Sequence, residues 1–101
     1  MIEYIREHLS QEELLCQLAE EASELVQAAL KVVRILNGNN PTPVSEQEAY
    51  KNLSEEIVDI SVCLAVLGFC KIDPEGDTRF DKKLNRWCER LEALHGGTGN
   101  E

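Results

Sequence analysis

The chain has 101 residues, 43% hydrophobic and 29% charged, the balance of one small folded domain rather than of a disordered segment. Its net charge of −9, from 19 acidic and 10 basic residues, excludes a general nucleic-acid binder, which needs a basic surface to displace counterions. The longest uncharged run, residues 60–70, is too short to span a bilayer, so no membrane partner is expected.

Residues 1–9 read as a short amphipathic opening helix, and Glu3, Arg6 and Glu7 argue against a signal peptide. Ser10 with Glu13 forms a capping box, S-x-x-E, that starts a long helix. Its apolar residues Leu14, Leu18, Leu25, Val32 and Leu36 recur at helical spacing. Gly38 is a natural C-terminal cap, and Pro41 blocks continuation. Ser45 with Glu48 is a second capping box, opening a helix that runs to about Lys71. The stretch D-P-E-G-D at 73–77 is a turn, and a third long helix follows from about Thr78 to Leu94. The glycine-rich residues 96–101 read as a flexible tail behind a single domain, 1–95.

The fold class expected is therefore all-α: a helical bundle of three long helices plus a short N-terminal helix. A chain this small has a thin core, and its second long helix is apolar nearly all round from residue 60 onward. Burial on most sides of that stretch, and completion of the bundle by oligomerisation, follow from this pattern. Cys16, Cys63, Cys70 and Cys88 lack C-x-x-C spacing and fall in helical, mostly apolar stretches. They read as buried, reduced thiols of a cytoplasmic protein.

The chemistry lies in two acidic sets. The first long helix carries Glu20, Glu21 and Glu24, the second Glu55, Glu56 and Asp59, each in the pattern E-E-x-x-[E/D]. Residues three apart share a helix face, so Glu21 pairs with Glu24 and Glu56 with Asp59. Two such faces packed together bring four carboxylates to one spot. At about 100° per residue, Glu21 falls roughly 20° from Leu14 and Val32, at the margin of the apolar stripe. Glu56 shares its face with Cys63 and Leu67, and Asp59 with Val66 and Cys70. Carboxylates beside apolar faces are costly unless protonated, paired with bases or bound to metal. Few bases are near in sequence: Lys31 and Arg34 come later on the first helix, and Lys51 precedes the second set. A metal is the better explanation, and hard oxygen donors select Mg²⁺, with Mn²⁺ as the alternative, over zinc.

The segments L-A-E-E-A-S-E-L at 18–25 and L-S-E-E-I-V-D-I at 53–60 resemble the paired E-x-x-E … E-x-x-D signature of MazG-like nucleotide pyrophosphohydrolases, a superfamily that includes dimeric dUTPases and dCTP pyrophosphatases. The resemblance covers residues 14–91. It implies Glu21, Glu24, Glu56 and Asp59 as metal ligands. It implies Glu20, and after it Glu55, as the catalytic group that orients or deprotonates water. Lys83 and Arg86 resemble the K-x-x-R segment that meets substrate phosphate in that family. The implied reaction is Mg²⁺-dependent hydrolysis of a (deoxy)nucleoside triphosphate to the monophosphate and pyrophosphate, as in nucleotide-pool house-cleaning. The implied partner is a second copy, in a homodimer or homotetramer.

Two readings compete. A helical scaffold or regulatory module that has lost hydrolase activity is opposed by retention of both acidic sets. A di-iron carboxylate protein needs two E-x-x-H motifs, and only Glu92 with His95 fits that pattern here. Trp87 reads as a core or interface anchor, and Tyr50 as a candidate contact for a nucleobase.

Overall fold

The structure, a computed structural model, describes residues 1–38, 44–69 and 78–96. They form four α-helices and no strand: α1 (Ile2–His8), α2 (Gln11–Asn37), α3 (Glu46–Leu67) and α4 (Thr78–His95). The expected all-α class is thus that of the described residues. The chain divides into two compact units, Met1–Cys70 and Lys71–Glu101. The first holds α1, α2 and α3, and the second α4.

α2 starts where its capping box predicts. Ser10 Oγ accepts from Glu13 N–H at 3.0 Å, and Glu13 Oε1 accepts from Ser10 N–H at 2.9 Å, so two orphan donors are satisfied reciprocally. Its other end closes on Gly38, in the left-handed region at φ 67°, whose N–H reaches the carbonyls of Arg34 and Ile35. At the start of α3, Ser45 Oγ takes Glu48 N–H at 3.1 Å. α3 ends at Leu67 rather than near Lys71. Gly68 adopts φ 89°, and the Phe69 N–H turns back to Leu64 O at 2.7 Å, a Schellman closure placed inside the uncharged run. Pro41, the 73–77 turn, Cys70 and the tail from 97 lie outside the described residues.

α2 and α3 form an antiparallel hairpin, for Glu24 lies beside Glu56 while Lys31 shares a cleft with Ala49. With the same rise per residue on both helices, this register sets Val32 level with Ala49 and Leu14 level with Val66. These four are the buried apolar residues of the unit, and Ala49, only 1% exposed, has a side chain small enough for close approach of the backbones. The acidic sets therefore lie midway between two apolar anchoring points.

α1 packs on α3. Arg6 Nε donates to Val66 O at 2.7 Å and Arg6 Nη2 to Ala65 O at 3.3 Å. The last carbonyls of a helix lack internal partners, and α3 has no basic residue in its own last turn. Arg6 supplies the positive charge and a donor to Val66 O, and it joins the Gly68 N–H at Ala65 O.

Burial is thinner than the pattern predicts. In the 60–69 stretch only Val66 is buried, while Ser61, Val62 and Phe69 are exposed. Cys16 and Cys88 are exposed and Cys63 is half-buried, which corrects the reading of the cysteines as core thiols. A hairpin has only one contact face per helix, and Cys16 sits off it, two positions after buried Leu14. No helix among the described residues is long and apolar enough to cross a membrane.

Candidate metal centre

Helical spacing puts Glu21 and Glu24 on one face of α2, and the hairpin register turns that face toward Glu56 of α3. One oxygen from each of the three lies within 4.8 Å of the others. Glu21 and Glu56 are half-buried and Glu24 is exposed. Glu21 Oε2 accepts from Gln17 Nε2 at 3.0 Å. Glu21 Oε1 and Glu56 Oε2 are shielded from solvent and have no hydrogen-bond donor. Among the described residues, no basic side chain forms an ion pair with any of the three.

The electrostatics follow from this crowding. The Glu24 carboxyl is raised above its ordinary value by its neighbour Glu21, first because a proton on Glu24 would let it donate to Glu21 and then because of the Glu21 charge. Desolvation raises Glu56, and the charges of Glu24, Glu21 and Asp59 add to it. Burial, with Glu21 and Asp59 behind it, also pushes up the Cys63 thiol, which keeps it protonated and unreactive.

Two orphaned, shielded carboxylate oxygens beside a third carboxylate fit a hard divalent cation such as Mg²⁺ or Mn²⁺. A cation would satisfy both lone oxygens and remove the repulsion that otherwise demands a proton.

The other expected site residues stand as follows. Asp59 is exposed and outside the group of three, yet near enough for its charge to act on Glu24, Glu56 and Cys63. Glu20 is exposed beside Glu21, and its charge acts on Glu24. Glu55 is exposed on α3. Lys83 and Arg86 belong to the second unit, where they line a depression of about 400 Å³ with Trp87, Arg90, Leu91 and Leu94. Tyr50 is exposed near the start of α3.

A cleft of about 410 Å³ opens directly from Glu24 and Glu56. Lys31, Arg34, Gln27 and Asn52 line it, none of them singled out as a site residue by the sequence reading. The signal was present in the spacing: Lys31 is seven residues after Glu24, Arg34 seven after Gln27, and Asn52 four before Glu56. No family model matches the chain, and neither does any curated protein or solved structure.

Proposed function

We propose that the protein is a Mg²⁺-dependent hydrolase that cleaves (deoxy)nucleoside triphosphates to monophosphate and pyrophosphate. The observation that carries this reading is the meeting of Glu21, Glu24 and Glu56, from two separate acidic motifs, with two shielded oxygens left without donors. The resemblance of those motifs to MazG-like pyrophosphohydrolases supplies the reaction class, and a working homodimer or homotetramer in the cytoplasm belongs to the same proposal.

In this reading Glu21, Glu24 and Glu56 hold the cation, with Asp59 adding negative charge at the edge. Bound there, Mg²⁺ neutralises phosphate charge and lowers the pKa of water. Glu20, and after it Glu55, accepts the proton of the attacking water. The water oxygen bonds to the α-phosphorus, the bond from that phosphorus to the α,β-bridging oxygen breaks, and the pair of electrons leaves with pyrophosphate. The same resemblance assigns Lys83 and Arg86 of α4 to substrate phosphate. Gln17 donates to Glu21 Oε2 and so fixes the orientation of that carboxylate.

The test is a panel of ribo- and deoxyribonucleoside triphosphates with Mg²⁺, with pyrophosphate and orthophosphate measured separately. Pyrophosphate with monophosphate is expected, and Glu56→Gln should abolish its release. Orthophosphate with diphosphate as the main products, or no hydrolysis of any nucleotide, refutes the proposal.

A further inference from the structure

The cleft beside the carboxylates changes character along its length. Glu24 and Glu56 stand at one end, the amides of Gln27 and Asn52 are also in its wall, and Lys31 and Arg34 bring positive charge further along α2. On α2 the order Glu24, Gln27, Lys31, Arg34 follows three- and four-residue steps, so these side chains form one stripe. Lys31 lies about 10 Å beyond Glu24 along the helix axis, and a lysine stem can bring its ammonium part of the way back.

Helix electrostatics do not account for this pair. Arg34 is in the last turn of α2, where a cation is favoured by the helix dipole, but Lys31 sits further in, beyond the reach of that effect. Lys31 is half-buried and has no acidic partner among the described residues. A half-buried lysine and an arginine in one cleft, flanked by two amide donors, match an anion with several oxygens. The carboxylate end repels such an anion unless a cation bridges them. The two ends together therefore suit a ligand that carries both a chelated phosphate and a free one.

We infer that Lys31 and Arg34 form an anion subsite for the distal phosphates of a nucleoside triphosphate. The substrate then lies along the cleft with its α-phosphate at the carboxylates and its pyrophosphate end toward the C-terminal end of α2. The direction of the substrate rests on the hydrolase reading above, whereas the anion subsite rests on the cleft alone. Lys31 and Arg34 are thus specificity residues: they favour triphosphates, whose phosphate chain spans both ends, over monophosphates, which engage only one.

Calorimetric titration tests this on the full chain, with inorganic pyrophosphate as one probe, with and without Mg²⁺, and Mn²⁺ alone as the other. Lys31→Met and Arg34→Gln should each weaken pyrophosphate binding by about tenfold or more, the scale of a lost charge-assisted hydrogen bond. Both should leave Mn²⁺ affinity within about twofold, because neither touches the carboxylates. Lys31→Arg should restore most of the pyrophosphate affinity. If Lys31→Met loses its helical circular dichroism, the exposed Arg34→Gln decides alone. Unchanged pyrophosphate affinity in folded variants, or none in the original protein, overturns the inference. Lys31-dependent pyrophosphate binding without Mn²⁺ binding sustains the subsite and sinks the hydrolase reading. Mn²⁺ binding with pyrophosphate affinity indifferent to Lys31 and Arg34 does the reverse.

Discussion

At Glu56 a shielded oxygen without a donor and the charges of three neighbouring acids act together on one carboxyl. Its value in the folded chain is raised, so the folded state holds the proton more tightly than the unfolded state does. The resulting stability is fully present at the low-pH side and is lost as pH rises from the ordinary carboxylate range through the raised value. Glu24 behaves likewise, chiefly because its protonated form can donate to Glu21. Glu13 runs the other way, since its hydrogen bonds with the Ser10 backbone and hydroxyl lower it, but its contribution changes only below the ordinary range. The metal-free protein should therefore melt at lower temperature as pH rises from the ordinary range toward neutral, and Glu56→Gln should flatten that slope. In EDTA this variant should be as stable as the original or more so. Mg²⁺ should stabilise the original by about 2.7 kcal/mol at a hundredfold excess over Kd, and the variant should lose most of that gain. Thermal unfolding across pH, in EDTA and in Mg²⁺, checks all three. A variant destabilised in EDTA, with no Mg²⁺ effect on either protein, points instead to a structural ion pair and removes the cation from the argument.

Among the elements, α3 depends most on another part of the chain. Arg6 of α1 serves its Val66 carbonyl and is a second donor to that of Ala65, which the Gly68 N–H also reaches. Replacing Arg6 with Met keeps much of the stem and removes the donors, at a cost of about 1–2 kcal/mol, readable as a lower Tm. Arg6→Lys should recover only part of it, because an ammonium cannot reproduce the fork that reaches two carbonyls. An unchanged Tm in Arg6→Met means that solvent serves those carbonyls equally well. The dependence on Arg6 was not legible in the sequence, since its partner is sixty residues away and the contact exists only after docking. The caps at Ser10, Gly38 and Ser45 were legible because a cap is a local event within one turn. Gly68 was passed over because it lies in an apolar run that reads as continuous helix, although its positive φ makes it the stop. The faces of Glu21, Glu24 and Glu56 were legible from helical period, whereas the cleft with Lys31 and Arg34 depends on the register of α2 against α3.

Over the whole molecule, apolar side chains outnumber the places that bury them. Val26, Leu30 and Val33 recur at helical spacing on α2 and are exposed, as are Val58 and Val62 on α3. On α4, Phe80, Leu84, Trp87, Leu91 and Leu94 form a continuous stripe, and Trp87 is 65% exposed. Stripes of this length mark association surfaces, and the buried apolar residues of the described chain are only four. Self-association is the expected result, with light scattering at micromolar concentration giving the mass of a dimer or larger. A stable folded monomer under those conditions removes the homo-oligomer from the proposal.

The Arg6 bonds to Ala65 and Val66 also set an order of events in time. Joining residues so far apart closes a long loop, whereas the α2–α3 hairpin is built from neighbouring helices. During synthesis α1 emerges first, yet its docking site on α3 emerges some sixty residues later. α1 must therefore wait as an isolated helix of 7 residues, too short to hold its form in water. It is therefore expected to be the last part of the first unit to join and the first to open, with amide exchange faster in α1 than around the carboxylates of α2 and α3 as the sign of it.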